Sequence, residues 1–505
     1  MLSSPNRGEW LKAIQKEVKA CIDRGTFRVL GPSELGGKKP MTSRFVFSIK
    51  SDGTYKARWV AQGFSQIKGV NYMETYSPTT FFKSVTSILH IASSKGFEVI
   101  TMDVGNAFLE AKIDFNIKMK SPKGLWNLFG LPDHNLEVMQ ALYGLKQAGR
   151  LWFKLLVKIL MEFGFQQNIF DPCSFVYESG GEKIMACCHV DDLLLAISSA
   201  KIKKKLVDFL RSRLKEVKVF EKDIVYLGVR IDKTEQGKFK LSQARYVEEI
   251  LKFLEPDAKP SRYPIKEDGL GTKVGGKNRP IHDVIGKLRF LVDRTRPDLL
   301  YPLNVLSRYC ANPNDAVVRE LNRLLRYVKA TKDLNLVIGG GKGSKINLFG
   351  MSDAAYVQHG DCRSALGYVI CMGKDSAPVY SRAMRAATVS LSSTQAEVEA
   401  LVEVTKEIMW YQGFVKHLGV SVEDPTGIYT DNMPLVNLAS EGNHLRKSKH
   451  YVVKTTFVKE QVQMGTISVQ HVPGKENVSD LLTKPLSGGL LVTHTKTILG
   501  KVNQS

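Results

Sequence analysis

The sequence predicts a multidomain chain of α+β and α/β architecture, two alternating units with a basic helical stretch between them. Three features lead there. At 505 residues the chain exceeds what one ordinary core organises, and roughly two to four domains are expected. Short apolar strands alternate with amphipathic helices up to about residue 260. Two breaks then follow: a polar stretch from Pro264 to Pro280 with Gly269, Gly271, Gly275 and Gly276, and a glycine cluster at Gly339–Gly343. The domains expected are 8–260, 261–343 and 344–487, with a tail at 488–505.

Composition narrows the class. A hydrophobic content of 43% is that of a globular protein. Lysine and arginine number 72 against 50 acids, a net charge of +22, which favours polyanionic partners such as nucleic acid. The seven cysteines include no CxxC pair, which argues against a zinc finger or disulfide framework and for an intracellular setting. The polar start, Ser3 to Glu9, is unlike a secretory signal. No apolar run reaches about eighteen residues, so no membrane span is expected.

Along the chain, Trp10, Ile14, Val18 and Ile22 recur at helical spacing. Leu151 to Phe163 is an amphipathic helix with Trp152, Leu155, Leu156, Ile159 and Leu160 on its apolar side. A helix is also expected from Lys203 to Val217, and helical text runs from His282 to Ala330. Beyond the second glycine cluster the pattern is three strands, a helix, a strand, two helices, a strand and a helix.

Two acidic segments stand out in the first unit. VITMDVGNAFLE is an apolar strand ending at Asp103, and KIMACCHVDDLLLAIS is a pair of apolar strands with Asp191 and Asp192 at the turn. Adjacent carboxylates on an apolar hairpin repel each other and face desolvation. An exposed turn would explain one of them. A divalent ion such as Mg²⁺, which takes oxygen ligands, explains both.

Read with their neighbours, these segments resemble copia-type reverse transcriptases. YKARWVAQGFSQIKGVNYMETYSP is similar to the fingers region, DVGNAFLE to the first palm motif, ALYGLKQAGRLWF to the next, and HVDDLLL to the YxDD hairpin; YLGVRI and LSQARYVEEIL follow in the family's order. The resemblance implies a right-hand polymerase of fingers, palm and thumb. It makes Asp103, Asp191 and Asp192 the catalytic, metal-binding aspartates. Two ions would serve the primer hydroxyl and the triphosphate. It makes Phe108 the aromatic gate against a 2′-hydroxyl, and places Arg58, Lys56 and Gln147 on the nucleotide. Phe108 also suits an ordinary core. The chain departs from the family at His189, where a tyrosine is usual, and at Ala148-Gly149-Arg150, where Ala-Pro-Arg is usual.

The second unit carries four spaced acids: Asp353 at the end of an expected strand, Glu397 early in a helix, Asp431 between strand and helix, and Asp480 in HVPGKENVSDLLTKPL. Acids at strand ends and a helix start can converge on one sheet edge around a phosphate. Local readings compete. Thr394 and Glu397 fit a capping box, and Asp431 can cap the helix after it. With RSALGYV, LSSTQAEVEAL, DNMPLV, KSKHYV and DLLTKPL around them, the four resemble the ribonuclease H-like α/β domain of the same family, in its order of catalytic, metal-binding carboxylates. Glu399 is a poorer match than Glu397, and His471 is a candidate helper in product release. Ala355 and Gln395 stand where the family has acids.

RTRPDLLYPLNVLSRYCANP and LNRLLRYVKAT resemble the family's thumb and connection. Arg289, Arg294, Arg296, Arg308, Arg319, Arg323, Arg326 and Lys329 make them basic, suited to phosphates of an RNA–DNA hybrid. The resemblance implies an RNA-directed DNA polymerase with ribonuclease H activity. Its expected cofactor is Mg²⁺, with Mn²⁺ as a substitute. Its expected partners are an RNA or DNA template, a nucleic-acid primer, deoxynucleoside triphosphates and the capsid, protease and integrase of a longer polyprotein. It implies a cytoplasmic, particle-bound site of synthesis with later nuclear entry. The rival reading is a degenerate or domesticated copy that binds nucleic acid without catalysis.

Overall fold

The computed structural model describes residues 5–35, 39–50, 53–124, 134–266, 270, 281–340, 345–357, 362–440 and 452–500. Most of the first glycine-rich break, Gly341–Gly343, most of KSKHYV and the end of the tail lie outside them.

The centre of the N-terminal half is a six-stranded sheet in the order 217–220, 98–104, 192–197, 182–189, 174–179, 166–167, its neighbours all antiparallel. Its inner strands read as nearly unbroken apolar runs because both faces are covered. One face packs on the helices Ala148–Phe163 and Ala200–Arg213 through Ile100, Met102, Trp152, Leu156 and Leu206. The other packs on the helix Phe82–Lys95 through Val85, Ile88, Leu89 and Leu194. That helix ends at Gly96, whose φ of 71° supplies the left-handed cap. The helix expected to reach Val217 stops at Arg213, and 217–220 is instead the sheet's edge strand. The alternation Val217, Val219 on one side and Lys218, Phe220 on the other is a strand pattern that its helical neighbour masked.

A smaller lobe precedes and flanks this sheet. The hairpin 43–49/55–61 and the three-stranded sheet 27–29, 135–140, 112–120 close over the helix Arg7–Asp23 around Ile14, Val18, Trp59 and Leu142. A four-stranded sheet of 224–226, 229–233, 239–242 and 336–338 follows, joined to the helices His282–Val292, Leu300–Ser307 and Asp315–Ala330.

The C-terminal unit is a five-stranded sheet in the order 380–385, 365–371, 349–355, 426–430, 467–471. The first three strands are antiparallel and the last two join in parallel. The helix Ser393–His417 crosses it. This unit rests directly on the central sheet's helix: one hydrophobic cluster contains Ile88, Leu324, Tyr368, Val404 and Phe414. Around it, Thr86 Oγ1 donates to the Val379 carbonyl at 2.7 Å, Asn168 Nδ2 to the Phe414 carbonyl at 3.2 Å and Trp410 Nε1 to the Phe170 carbonyl at 3.2 Å. The Phe170 ring occupies the space a side chain at Gly413 would take, 2.1 Å from an added Cβ. Lys83 pairs with Glu407 at 2.5 Å and lies 3.7 Å from the Trp410 ring centroid.

Candidate active sites

The central sheet sets Asp103 directly opposite Asp192 on adjacent antiparallel strands. Lys218 flanks Asp103 and His189 flanks Asp192. Between His189 and Asp192 the chain turns through Val190, whose φ is 57°. That region is costly for a β-branched residue. Two contacts hold it. The Trp152 indole donates to the Val190 carbonyl at 2.6 Å, and the Val104 N–H donates to the Asp191 carbonyl at 3.0 Å. Asp191 is thereby fixed beside the strand end that carries Asp103.

Half-burial and neighbouring charge raise two of these acids, Asp103 and Asp192. Burial first, then Asp191, lifts Asp103 above its usual range. Burial, Asp191 and Asp103 push Asp192 up to about 6. Burial also lowers the His189 imidazole.

Asp103 and Asp191 line a cavity of about 390 Å³ together with Lys56, Tyr143, Gly105 and Lys218. Burial, then Arg58, lowers the Lys56 ammonium. The Arg58 guanidinium lies 5.1 Å from the Tyr143 ring centroid, and its Nε is buried without a hydrogen-bond partner among the described residues. Phe108 packs behind Tyr143 and does not line this cavity. Tyr143 was not singled out in the sequence; its position four residues before Gln147 in ALYGLKQAGR was the available signal. Gln147 is a correction. Expected on the nucleotide, it is fully buried, its amide bonded to Gln66 at 2.9 Å and the Asn71 carbonyl at 2.9 Å. It ties the 66–71 loop to the helix start.

In the C-terminal unit Asp353, Glu397 and Asp431 each offer an oxygen within 4.8 Å of the others, the one such acidic group among the described residues. Asp353 lies inside the strand Phe349–Ala355 rather than at its end. Glu397 stands in the first turns of the long helix, and Asp431 follows the strand Thr426–Thr430. The two competing local readings fail. The helix is capped by Ser392, which accepts from the Gln395 N–H at 3.2 Å, while Gln395 Oε1 accepts from the Leu391 N–H at 2.9 Å. The cap lies two residues ahead of Thr394 and leaves Glu397 free of it. Asn432, not Asp431, caps the next helix by accepting from the Leu435 N–H at 3.1 Å.

Glu397 Oε2 is buried with no hydrogen-bond partner among the described residues. Burial, then Asp353 and Asp431, pushes this carboxyl up to about 9. Burial also raises Asp353 and Asp431. An orphaned carboxylate oxygen among convergent acids suits a hard divalent cation with oxygen ligands. Asp480 sits beside this group in the short helix Val478–Leu482, and Lys484 reaches Asp480 Oδ1 at 2.9 Å and Asp353 Oδ2 at 3.9 Å. Thr483 Oγ1 donates to Asp353 Oδ2. Glu399 points elsewhere, paired with Lys454 at 2.9 Å. His471 ends the strand Ile467–His471 instead of lying in a loop, exposed and close enough to Asp431 to lower its carboxyl slightly.

The basic stretch divides. Arg296 is a correction: it is buried and forked onto Asp298 at 2.8 and 2.9 Å, with Thr331 beyond. Arg326 donates to the Lys259 carbonyl, and Lys329 to those of Pro256 and Ala258. These three brace the chain. Arg289 and Arg294 instead line a cavity of about 650 Å³ shared with Arg382 of the C-terminal sheet. Arg294 stacks on Phe82 at 4.4 Å and is near enough to His189 to lower it.

The fold is that of reverse transcriptases. The foamy viral protease-reverse transcriptase, solved with double-stranded DNA and with an RNA/DNA hybrid, superposes with a TM-score of 0.52 in each case at 12% identity, covering 92% and 94% of this chain and 70% and 55% of those chains. Residues 26–267 match the family described as reverse transcriptase (RNA-dependent DNA polymerase). The retrovirus-related Pol polyprotein from transposon RE2 of Arabidopsis thaliana is 32% identical over 489 residues, covering 95% of this chain and 33% of the relative. The one from transposon TNT 1-94 of Nicotiana tabacum is 29% identical over 508 residues, covering 96% and 37%. The chain belongs to the copia-type retrotransposon Pol polyproteins and spans about a third of the length of the curated relatives it matches.

Proposed function

We propose that the chain is an RNA-directed DNA polymerase whose C-terminal unit is a ribonuclease H acting on RNA–DNA hybrids. On this reading residues 8–260 are fingers and palm, 261–343 the thumb and connection, and 344–487 the ribonuclease H-like domain. The observation that carries it is the register of Asp103 against Asp192 with Asp191 pinned beside them. Bound Mg²⁺, or Mn²⁺, would supply charge neutralisation and an activated oxygen at each acidic group.

The chain's own groups do the rest. Asp103, Asp191 and Asp192 hold the cation charge where the primer end meets a deoxynucleoside triphosphate. Lys56 on the cavity wall, and Arg58 over the ring of Tyr143, carry positive charge to the triphosphate. The Tyr143–Phe108 pair limits room at the sugar. His189 and Arg294 border the path of the primer strand, and Arg289 and Arg382 continue it toward the second acidic group. There Asp353, Glu397, Asp431 and Asp480 surround the hybrid's RNA phosphate. The other polyprotein parts rest on the relatives' being Pol polyproteins, and particle-bound synthesis on the family resemblance of the sequence alone.

Primer extension on an RNA template with Mg²⁺ tests the polymerase. The parent should add deoxynucleotides and Asp191→Asn almost none. No addition by folded parent protein would leave the rival, a copy that binds nucleic acid without copying it.

A further inference from the structure

We infer that Arg24 is a positioning residue for polymerisation: it holds the turn of residues 105–110 so that the Phe108–Tyr143 wall stands at a fixed place beside Asp103. This rests on the polymerase reading of that site.

The strand Glu98–Val104 ends one residue past Asp103. The chain then reverses through Gly105 and Asn106, whose φ of 55° is uncommon outside glycine. It enters the short helix Ala107–Glu110, which carries Phe108. One guanidinium grips both ends of this reversal. Arg24 Nη2 donates to the Gly105 carbonyl at 3.3 Å, and Nε donates to Glu110 Oε1 at 3.0 Å. Both side chains are covered, at 8% and 10% exposed. A planar fork sets direction as well as distance, which a single ammonium does not.

The same turn is held from its other side. The Gly105 N–H donates to the Glu216 carbonyl at 3.0 Å, and a Cβ on Gly105 would lie 2.2 Å from Glu216 Oε2. With the bond from the Val104 N–H to Asp191, the backbone after Asp103 is tied to three separate segments. Of the three, it is Arg24 that also reaches Glu110, at the far end of the helix carrying Phe108.

Arg24 is itself anchored. It follows the helix Arg7–Asp23 as its C-cap, and its Nη1 donates back to the Ala20 carbonyl at 3.4 Å. Earlier in that helix the buried Glu17 accepts from the Trp59 N–H at 3.0 Å. Ile14, Val18 and Trp59 share one apolar cluster. The strand so fixed, Tyr55–Ala61, carries Lys56 and Arg58. The helix therefore acts as a strut, with one part on the strand of the nucleotide's cations and its end on the turn of the sugar wall.

The test uses the full chain and single-nucleotide incorporation on an RNA template with Mg²⁺. The decisive variant combines Arg24→Met with Glu110→Leu. It removes the staple without leaving a buried charge unpaired, an exchange that buried ion pairs often tolerate. It should melt close to the parent. Its kcat with deoxynucleotides and its preference for them over ribonucleotides should each fall by about 10-fold, the scale of a small misplacement. Arg24→Lys should move both in the same direction by a smaller factor. Gly413→Val, destabilised at the distant seam, should keep the parent's preference, which separates placement from stability. A folded double variant with the parent's kcat and sugar preference overturns the inference. So does a shift in Gly413→Val as large as that of the double variant. An equal rise in KM for both sugars at unchanged kcat also overturns it, by making Arg24 a direct nucleotide contact. If the double variant melts well below the parent, Arg24→Lys decides by the same criteria. No incorporation by folded parent protein overturns the polymerase reading instead.

Discussion

The rings of Phe108 and Tyr143 pack with centroids 4.8 Å apart, and Tyr143 is the one that faces the cavity beside Asp103. The two form a double wall. Phe108→Val should let Tyr143 sink back, and Tyr143→Ala should remove the wall outright. Both are expected to raise ribonucleotide use relative to deoxynucleotide by about 10-fold or more, the scale of a lost steric contact. Single-nucleotide incorporation kinetics with each sugar decides it. An unchanged preference in both variants would remove the wall from sugar selection.

Glu397 couples metal binding to protons. In the folded, metal-free chain its carboxyl holds a proton up to about 9, against 4.5 ordinarily. The folded state therefore binds more protons than the unfolded one between those values, and this group's contribution to stability falls as pH rises through that window. Mg²⁺ needs the ionised form, so binding near pH 7.5 (about two units above pH 5.5, where fewer ions bind) should release a proton. Calorimetry in buffers of different ionisation enthalpy should detect it in the parent and lose it in Glu397→Gln. The same variant should flatten the fall of Tm with pH.

Asp171 is fully buried and accepts from Ser84 Oγ at 2.6 Å, Thr80 Oγ1 and Phe81 N–H at 3.2 Å, and Cys173 N–H at 3.0 Å. It sits at the N-terminus of the helix Phe82–Lys95, where negative charge is favoured. Asp171→Ala leaves several buried donors unpaired and should cost more than ~3 kcal/mol. Denaturant unfolding checks this. A loss under ~1 kcal/mol would mean that water replaces the carboxylate.

The hairpin acids were legible because strands buried on both faces must be apolar throughout, so Asp191 and Asp192 break an otherwise uniform pattern. Of the four C-terminal acids, the three that the structure brings together, Asp353, Glu397 and Asp431, were legible as a group, but their local roles were not. Ser392, Ser393 and Thr394 are all able to cap a helix, and only the backbone turn selects Ser392. Gln147 misled for a related reason: an amide beside a site serves equally as ligand or as brace, and its partners Gln66 and Asn71 lie some 80 residues away. Tyr143 gained meaning only through neighbours distant in sequence, Arg58 and Phe108.

The Phe170 ring over Gly413 offers a reciprocal test. Gly413→Val places a side chain inside that ring and should destabilise by about 1–3 kcal/mol or more, as overpacking does. Phe170→Ala opens the space, and the double variant should recover part of the loss. Urea unfolding of all four proteins measures the coupling. Strict additivity would show that the ring yields at no cost.

That same junction limits how relatives can be recombined. A partner segment bringing its own long helix would have to supply carbonyls at the heights of Phe414 and Val379, a gap for the 170 ring and an acid for Lys83. Few foreign halves would meet all four demands, so drift on either side of this seam is expected to be inherited in matched pairs.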